Sequence, residues 1–247
     1  MHNIKPINQA LAQEWSAFLV NDNEGVIRSI IKRAAEIHAE TNQKYDDYLP
    51  YAFHLNMVCN VFMQFGSVCF DSREEMDEWG HVAIFGAAFH DTIEDARLSY
   101  NDVLKIAGEF FHQEEKRILA AEIVYALTNE KGRNRDEREN DKYFEGIREV
   151  SFAPCIKLCD RYANAFFANA RQSSLAKKYR VEMKTFLTKL LIVDERSVDS
   201  CSCLPEELVR LCDSYPLSQH QTTCLMDVVA LAELKNQLDS EKESEKK

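Results

Sequence analysis

Glycine and proline are scarce in this chain, 7 and 5 among 247 residues. A many-stranded β protein needs them at its turns, so their scarcity turns the reading toward helices. No apolar run approaches the roughly 18 residues of a membrane span, and no signal-peptide pattern opens the sequence. Both absences predict a soluble, cytoplasmic chain. Excess positive charge is missing too. The formal charge is −11, so the whole-molecule field repels nucleic acid and anionic membranes. An anionic substrate must then be held by local cations or a metal. Eight cysteines form no CxxC pair, and several lie in apolar helical stretches. They read as reduced thiols acting as small hydrophobes, not as zinc ligands or disulfides. No internal repeat is found.

What is present is helical periodicity in a chain that is 45% apolar. Leu11, Trp15, Phe18 and Leu19 share a face, as do Val26, Ile27, Ile30, Ile31 and Ala34 after an Asn21–Gly25 turn. Thr41–Leu49 is polar and reads as a loop, and Pro50 suits the first turn of a helix reaching about Phe65. Ser72 and Glu75 make a capping-box pattern that opens a helix running to about Asp95. Further helices are expected over Asn101–Phe111, Glu114–Leu127, Pro154–Ala170, Ala176–Val193, Pro205–Cys212 and Gln221–Leu238. Thr128–Asp141 reads as a loop or frayed helix end. The expected architecture is all-α: one helical domain over 1–193, a helical extension over 194–238 and a disordered charged tail over 239–247.

Chemistry concentrates in Phe89-His90-Asp91-Thr92-Ile93-Glu94-Asp95. On a continuous helix His90 stacks on Glu94 and Asp91 on Asp95, giving one imidazole and three carboxylates to one face. Ala83, Gly86 and Ala87 beneath it are small enough for other helices to approach. A polar helix end in solvent explains this segment taken alone. Two distant residues change the balance. His54 shares a face with Val58, Val61 and Phe65, and Asp160 lies on the stripe of Ile156, Ala163 and Phe167, with Asn164 one turn on. An inward Asp is almost always paired or bound to metal. Two inward His and two inward Asp form a four-ligand N/O site that suits manganese, iron, cobalt or zinc. His81 falls on the opposite side of the His90 helix, and His38 reads as a core residue. His2, His112 and His220 have no evident partners.

Three segments together resemble the HD-domain hydrolases. They are Pro50-Tyr51-x-x-His54, His90-Asp91-Thr92-Ile93-Glu94-Asp95 and Lys157-Leu158-Cys159-Asp160-Arg161-Tyr162-Ala163-Asn164. Within that superfamily the resemblance is closest to the hydrolase domain of RelA/SpoT-type alarmone enzymes, and it runs from about Ala34 to Leu190. It implies a single HD-domain helical bundle in which His54, His90, Asp91 and Asp160 bind Mn2+. It also implies that Glu94 and Asp95 handle the attacking water and the leaving group, and that Lys44, Asn164 and Arg161 contact substrate. The implied reaction is removal of pyrophosphate from a guanosine nucleotide bearing a 3′-diphosphate, with no synthetase domain following. Gln43 stands where relatives often carry Arg, Ala96 where Thr is usual, and the His54–His90 spacing implies an insertion around Phe70–Asp77. Another HD-type nucleotidase or phosphodiesterase, or a nucleotide-binding protein with a vestigial site, are the alternatives. Lys131, Arg133, Arg135 and Arg138 suggest a loop closing over polyphosphate, but Thr128–Lys142 holds five basic and five acidic residues, which favours a solvated loop.

Overall fold

A computed structural model describes residues 8–22 and 25–191. The described chain is all-α apart from one minimal hairpin. Its helices are α1 (Gln9–Val20), α2 (Val26–Glu40), α3 (Ala52–Phe65), α4 (Arg73–Phe89), α5 (Tyr100–Ala107), α6 (Glu114–Leu127), α7 (Arg135–Arg138), α8 (Asp141–Glu149), α9 (Ala153–Ala170) and α10 (Ser174–Leu191). Two-residue strands β1 (Lys44–Tyr45) and β2 (Leu49–Pro50) pair antiparallel, Lys44 opposite Pro50 and Tyr45 opposite Leu49. The expected extension over 194–238 and the tail over 239–247 lie outside the described residues, as do Cys201, Cys203, Cys212, Cys224, His2 and His220.

Local chemistry starts the helices where the caps allow. Asn8 accepts from the Ala10 and Leu11 amides, and Ser99 with Asp102 forms a reciprocal capping box on α5. Both Asp22 carboxylate oxygens accept amides at the head of α2, while Gly25 takes the left-handed φ of 66° that the turn into that helix requires. Each such cap satisfies amides with no partner inside the helix, a contribution of about 1 kcal/mol. At the head of α4, Ser72 accepts from Glu75, but Glu75 reaches back to Asp71 rather than to the cap residue.

Helix α4 runs through the bundle and packs on α2, α3 and α6, while α3 packs on α9, and α9 on α10. Gly86 makes the tightest crossing. A Cβ there would stand 2.5 Å from Ile123 Cγ2 on α6 and 2.9 Å from Ile156 Cδ1 on α9. At the other end Trp15 stacks on Phe18, meets Phe62 edge-on and donates its indole N–H to the Met63 carbonyl at 2.8 Å. Cys59, Cys69, Cys155 and Cys159 are buried free thiols, as expected. Among the described residues no helix is long and apolar enough to cross a membrane.

Several boundaries differ from the sequence reading. Helix α4 stops at Phe89, and His90–Asp95 is a run of turns. The cause is Thr92, whose amide and hydroxyl both donate to the Phe89 carbonyl, drawing the backbone out of helical register. Arg97 then takes a φ of 61°. Pro50 sits in β2 rather than in the helix, which starts at Ala52. The loop reading of Thr41–Leu49 missed the hairpin, shaped by positive φ at Asn42, Asp46 and Asp47. Thr128–Asp141 contains α7, and α8 follows it unpredicted. The stretch around Phe70–Asp77 follows a 3-10 turn over Gly66–Cys69 and includes the first turn of α4.

Candidate metal centre

His54 enters from α3, His90 ends α4, Asp91 follows it in the turn, and Asp160 lies midway along α9. Their side chains converge. His54 Nε2 lies 3.2 Å from His90 Nε2, 3.4 Å from Asp91 Oδ2 and 3.3 Å from Asp160 Oδ1. His90 Nε2 lies 2.9 Å from Asp91 Oδ2 and 3.8 Å from Asp160 Oδ1. Donors about 2.1 Å from one ion stand about 3.0 Å apart at right angles and about 3.4 Å apart in a tetrahedron. The separations among His54, His90 and Asp91 scatter about those values, so these three can hold one divalent ion, with Asp160 Oδ1 beside both imidazoles.

The surroundings prepare these atoms. His90 Nδ1 lies 2.9 Å from the Ala87 carbonyl; with the proton there, the Nε2 lone pair faces the cluster. Asn164 donates to Asp160 Oδ1 at 2.6 Å and accepts from the Tyr45 hydroxyl at 2.9 Å, while the Tyr45 ring stacks on His54. Buried Lys157 places its ammonium 3.2 Å from the other Asp160 oxygen. The electrostatics already behave as a cation trap. Burial alone would raise Asp91 and Asp160, but His90 and His54 hold Asp91 well below the usual carboxylate range. Lys157, with His54, does the same to Asp160. Burial works against a charged His54, yet the hydrogen bonds it donates to Asp160 and Asp91 push it up to about 9.

The expected catalytic pair separates. Glu94 accepts from Asn129 Nδ2 at 3.0 Å and lies 3.7 Å from Arg138. Asp95 turns to Tyr51, whose hydroxyl oxygen stands 2.5 Å from Asp95 Oδ2 and 2.6 Å from Asp91 Oδ2. One phenol proton cannot serve two carboxylates at that range. Burial, then the Asp91 charge, push Asp95 up to about 6 against the lowering by Tyr51, so the second proton joins Asp95 as pH falls through that value.

The expected substrate contacts divide as well. Asn164 adjoins the cluster. The Lys44 side chain is exposed and makes no hydrogen bond or ion pair among the described residues. Arg161, beside Asp160 in sequence, is buried in ion pairs with Glu139 at 3.2 Å and Glu182 at 3.4 Å, over the Phe186 ring. His81 pairs with Asp22 at 3.4 Å, far from the centre in the fold, and His38 is a core residue whose ring stacks on Tyr51. Sequence reasoning gave no role to Tyr51, Tyr45 or Lys157. Tyr51 and Lys157 each precede a ligand by three residues, a helical spacing that places them beside it.

The described chain is thus an all-α protein with a buried His–His–Asp cluster compatible with a metal ion, which Asp160 extends. No known protein family matches the chain, and no curated protein or solved structure matches it.

Proposed function

We propose that this chain is a divalent-metal-dependent hydrolase of phosphorylated nucleotides. The observation that carries the reading is the cluster of His54, His90 and Asp91, with Asp160 from a third helix beside both imidazoles. Imidazole with carboxylate suits manganese, iron, cobalt or zinc better than calcium or magnesium, and manganese is the ion the sequence resemblance favours. When bound, the ion acidifies a water and offsets charge on a phosphoryl oxygen.

The chain's own groups supply the rest. Asp95, ionised at neutral pH but only just, is suited to take a proton from the attacking water at Oδ2, with Tyr51 holding that carboxylate beside the ligand Asp91. Glu94 is the group suited to meet the leaving oxygen. A cavity of about 350 Å³ opens beside Asn164, walled by Tyr45, Phe167 and Tyr179, with Asp46, Arg171 and Ser173 as polar points. Its size and aromatic walls suit a nucleoside. The specific reaction we propose is release of pyrophosphate from guanosine 3′,5′-bis(diphosphate).

The test is metal analysis of the purified protein followed by a manganese-supplemented assay over many phosphorylated nucleotides, with products identified. Pyrophosphate released from the 3′-diphosphate alone is the expected result. Cleavage of nucleoside 5′-monophosphates instead moves the assignment to a nucleotidase. A metal-loaded protein that binds nucleotides but turns none over overturns the enzyme reading.

A further inference from the structure

The site has more negative charge than an anionic substrate tolerates. Asp91 and Asp160 line it, and Asp95 joins Asp91 through Tyr51, with Glu94 next to it in sequence; buried Lys157 is committed to Asp160 and Arg171 at the cavity to Asp46. Lys44 has no contact that ties it to the cluster. Arg138 reaches the segment that leads out of the cluster. Its guanidinium lies 3.7 Å from Glu94 Oε1, the same oxygen that accepts from Asn129, and its side chain is 41% exposed. At 3.7 Å the two charges attract but share no hydrogen bond, so the guanidinium donors facing Glu94 are not consumed.

The segment that carries Arg138 is built rather than loose. Glu137 accepts the Arg133 amide at 2.8 Å and the Asn134 side chain at 3.2 Å, while Asn134 in turn accepts the Glu137 amide at 2.9 Å. A Cβ on Gly132 would meet Glu137 Cβ at 2.7 Å, so the turn closes only over glycine. Next to Arg138, Glu139 is fixed by buried Arg161 on α9, one residue from the ligand Asp160. The loop is therefore tied to the helix that supplies the metal ligand, with its arginine aimed at the carboxylate beside the centre.

We propose that Arg138 is the phosphate-binding cation of this site, held in reserve by Glu94 and transferred to a terminal phosphate of the substrate on binding. A guanidinium offers two parallel donors to phosphate, where a carboxylate at 3.7 Å takes none. Glu94 and the substrate compete for the same group, and binding frees Glu94 for the leaving oxygen. Arg161, expected from sequence to touch substrate, acts instead through Glu139 as an anchor for the loop. This inference rests on the phosphohydrolase reading for the identity of its ligand.

The experiment measures binding of inorganic pyrophosphate to metal-loaded protein at fixed free manganese, beside KM and kcat on whichever nucleotide is cleaved. Arg138→Ala is expected to weaken pyrophosphate about tenfold or more, the scale of a lost charge-assisted hydrogen bond. It should raise KM more than it lowers kcat, and Arg138→Lys should recover part of the loss. Glu94→Gln should bind pyrophosphate more tightly than wild type while losing turnover, a reversal that a merely structural role does not produce. Unchanged pyrophosphate affinity and KM in Arg138→Ala, with turnover intact, overturns the role of Arg138 and leaves the hydrolase reading standing. Arg138-dependent pyrophosphate binding without hydrolysis of any nucleotide does the reverse.

Discussion

Two regions meet at the centre and are built differently. The donor region is rigid: His54, His90 and Asp160 are buried, sit on helices or at a helix end, and are held by Ala87, Asn164 and Lys157. The second region is made of turns and very short elements: Glu94 and Asp95 on the segment after α4, Lys44 in β1, Arg138 at the end of α7. The contrast teaches a division of labour. Three of the four candidate donors sit on helices or at a helix end, while Asp91 and the groups proposed to do the chemistry lie on turns and short elements.

The largest expected effect comes from breaking the rigid half. Asp160→Asn should lose bound metal and nearly all turnover, measured by elemental analysis and assay. It also strands the Lys157 charge, costing roughly 3–5 kcal/mol of unfolding free energy in denaturant titration. Adding Lys157→Met should recover stability without recovering metal. Retention of stoichiometric metal in Asp160→Asn removes that residue from the ligand set.

Glu94→Gln probes the other half. It should keep metal and melting temperature while kcat falls by about two orders of magnitude, the scale of a lost general acid or base. Loss of metal in this variant erases the distinction between the two regions.

His38 tests how dry the boundary between them is. Burial is the main force that lowers its imidazole from 6.5 to about 4, with His90 and His54 adding to it and Asp91 opposing. The unfolded chain therefore binds this proton first. The associated stability is full above about pH 6.5 and drains as pH falls toward 4, by up to about 3 kcal/mol. Urea titrations across that range should show the loss, and His38→Phe should flatten it. An unchanged pH dependence in the variant means water reaches the ring.

The smallest effect is expected at Lys44. Its exposed side chain bonds to nothing described, so Lys44→Ala should raise KM by no more than severalfold and leave kcat nearly alone. A tenfold or larger rise makes the hairpin, not the Arg138 loop, the main phosphate contact.

The rigid half was the legible one. His54 and Asp160 stood out because polar residues on apolar stripes need a partner, and the structure brings them within 3.3 Å. His90 and Asp91 were also found, although the helix invoked to align them ends before they begin. Thr92 carries the reason, since periodicity does not register a hydroxyl that competes for a backbone carbonyl. Helix α8 was missed because Tyr143, Phe144 and Ile147 make one short apolar stripe among charges, too little to stand out beside a polar loop. Lys157 was invisible for the opposite reason: a lysine in sequence reads as solvated, and only the tertiary fold encloses it. The all-α class itself followed from composition and spacing alone.

Gly86 stands one turn before His90 on α4, and the side chain pressed against it, Ile156, stands one turn before Asp160 on α9. The absent methyl therefore works as a caliper. It sets how closely α4 approaches α6 and α9, and with it the spacing of His90 from Asp160. Alanine at that position is a wedge driven between the helices, a change made without altering a single candidate donor atom.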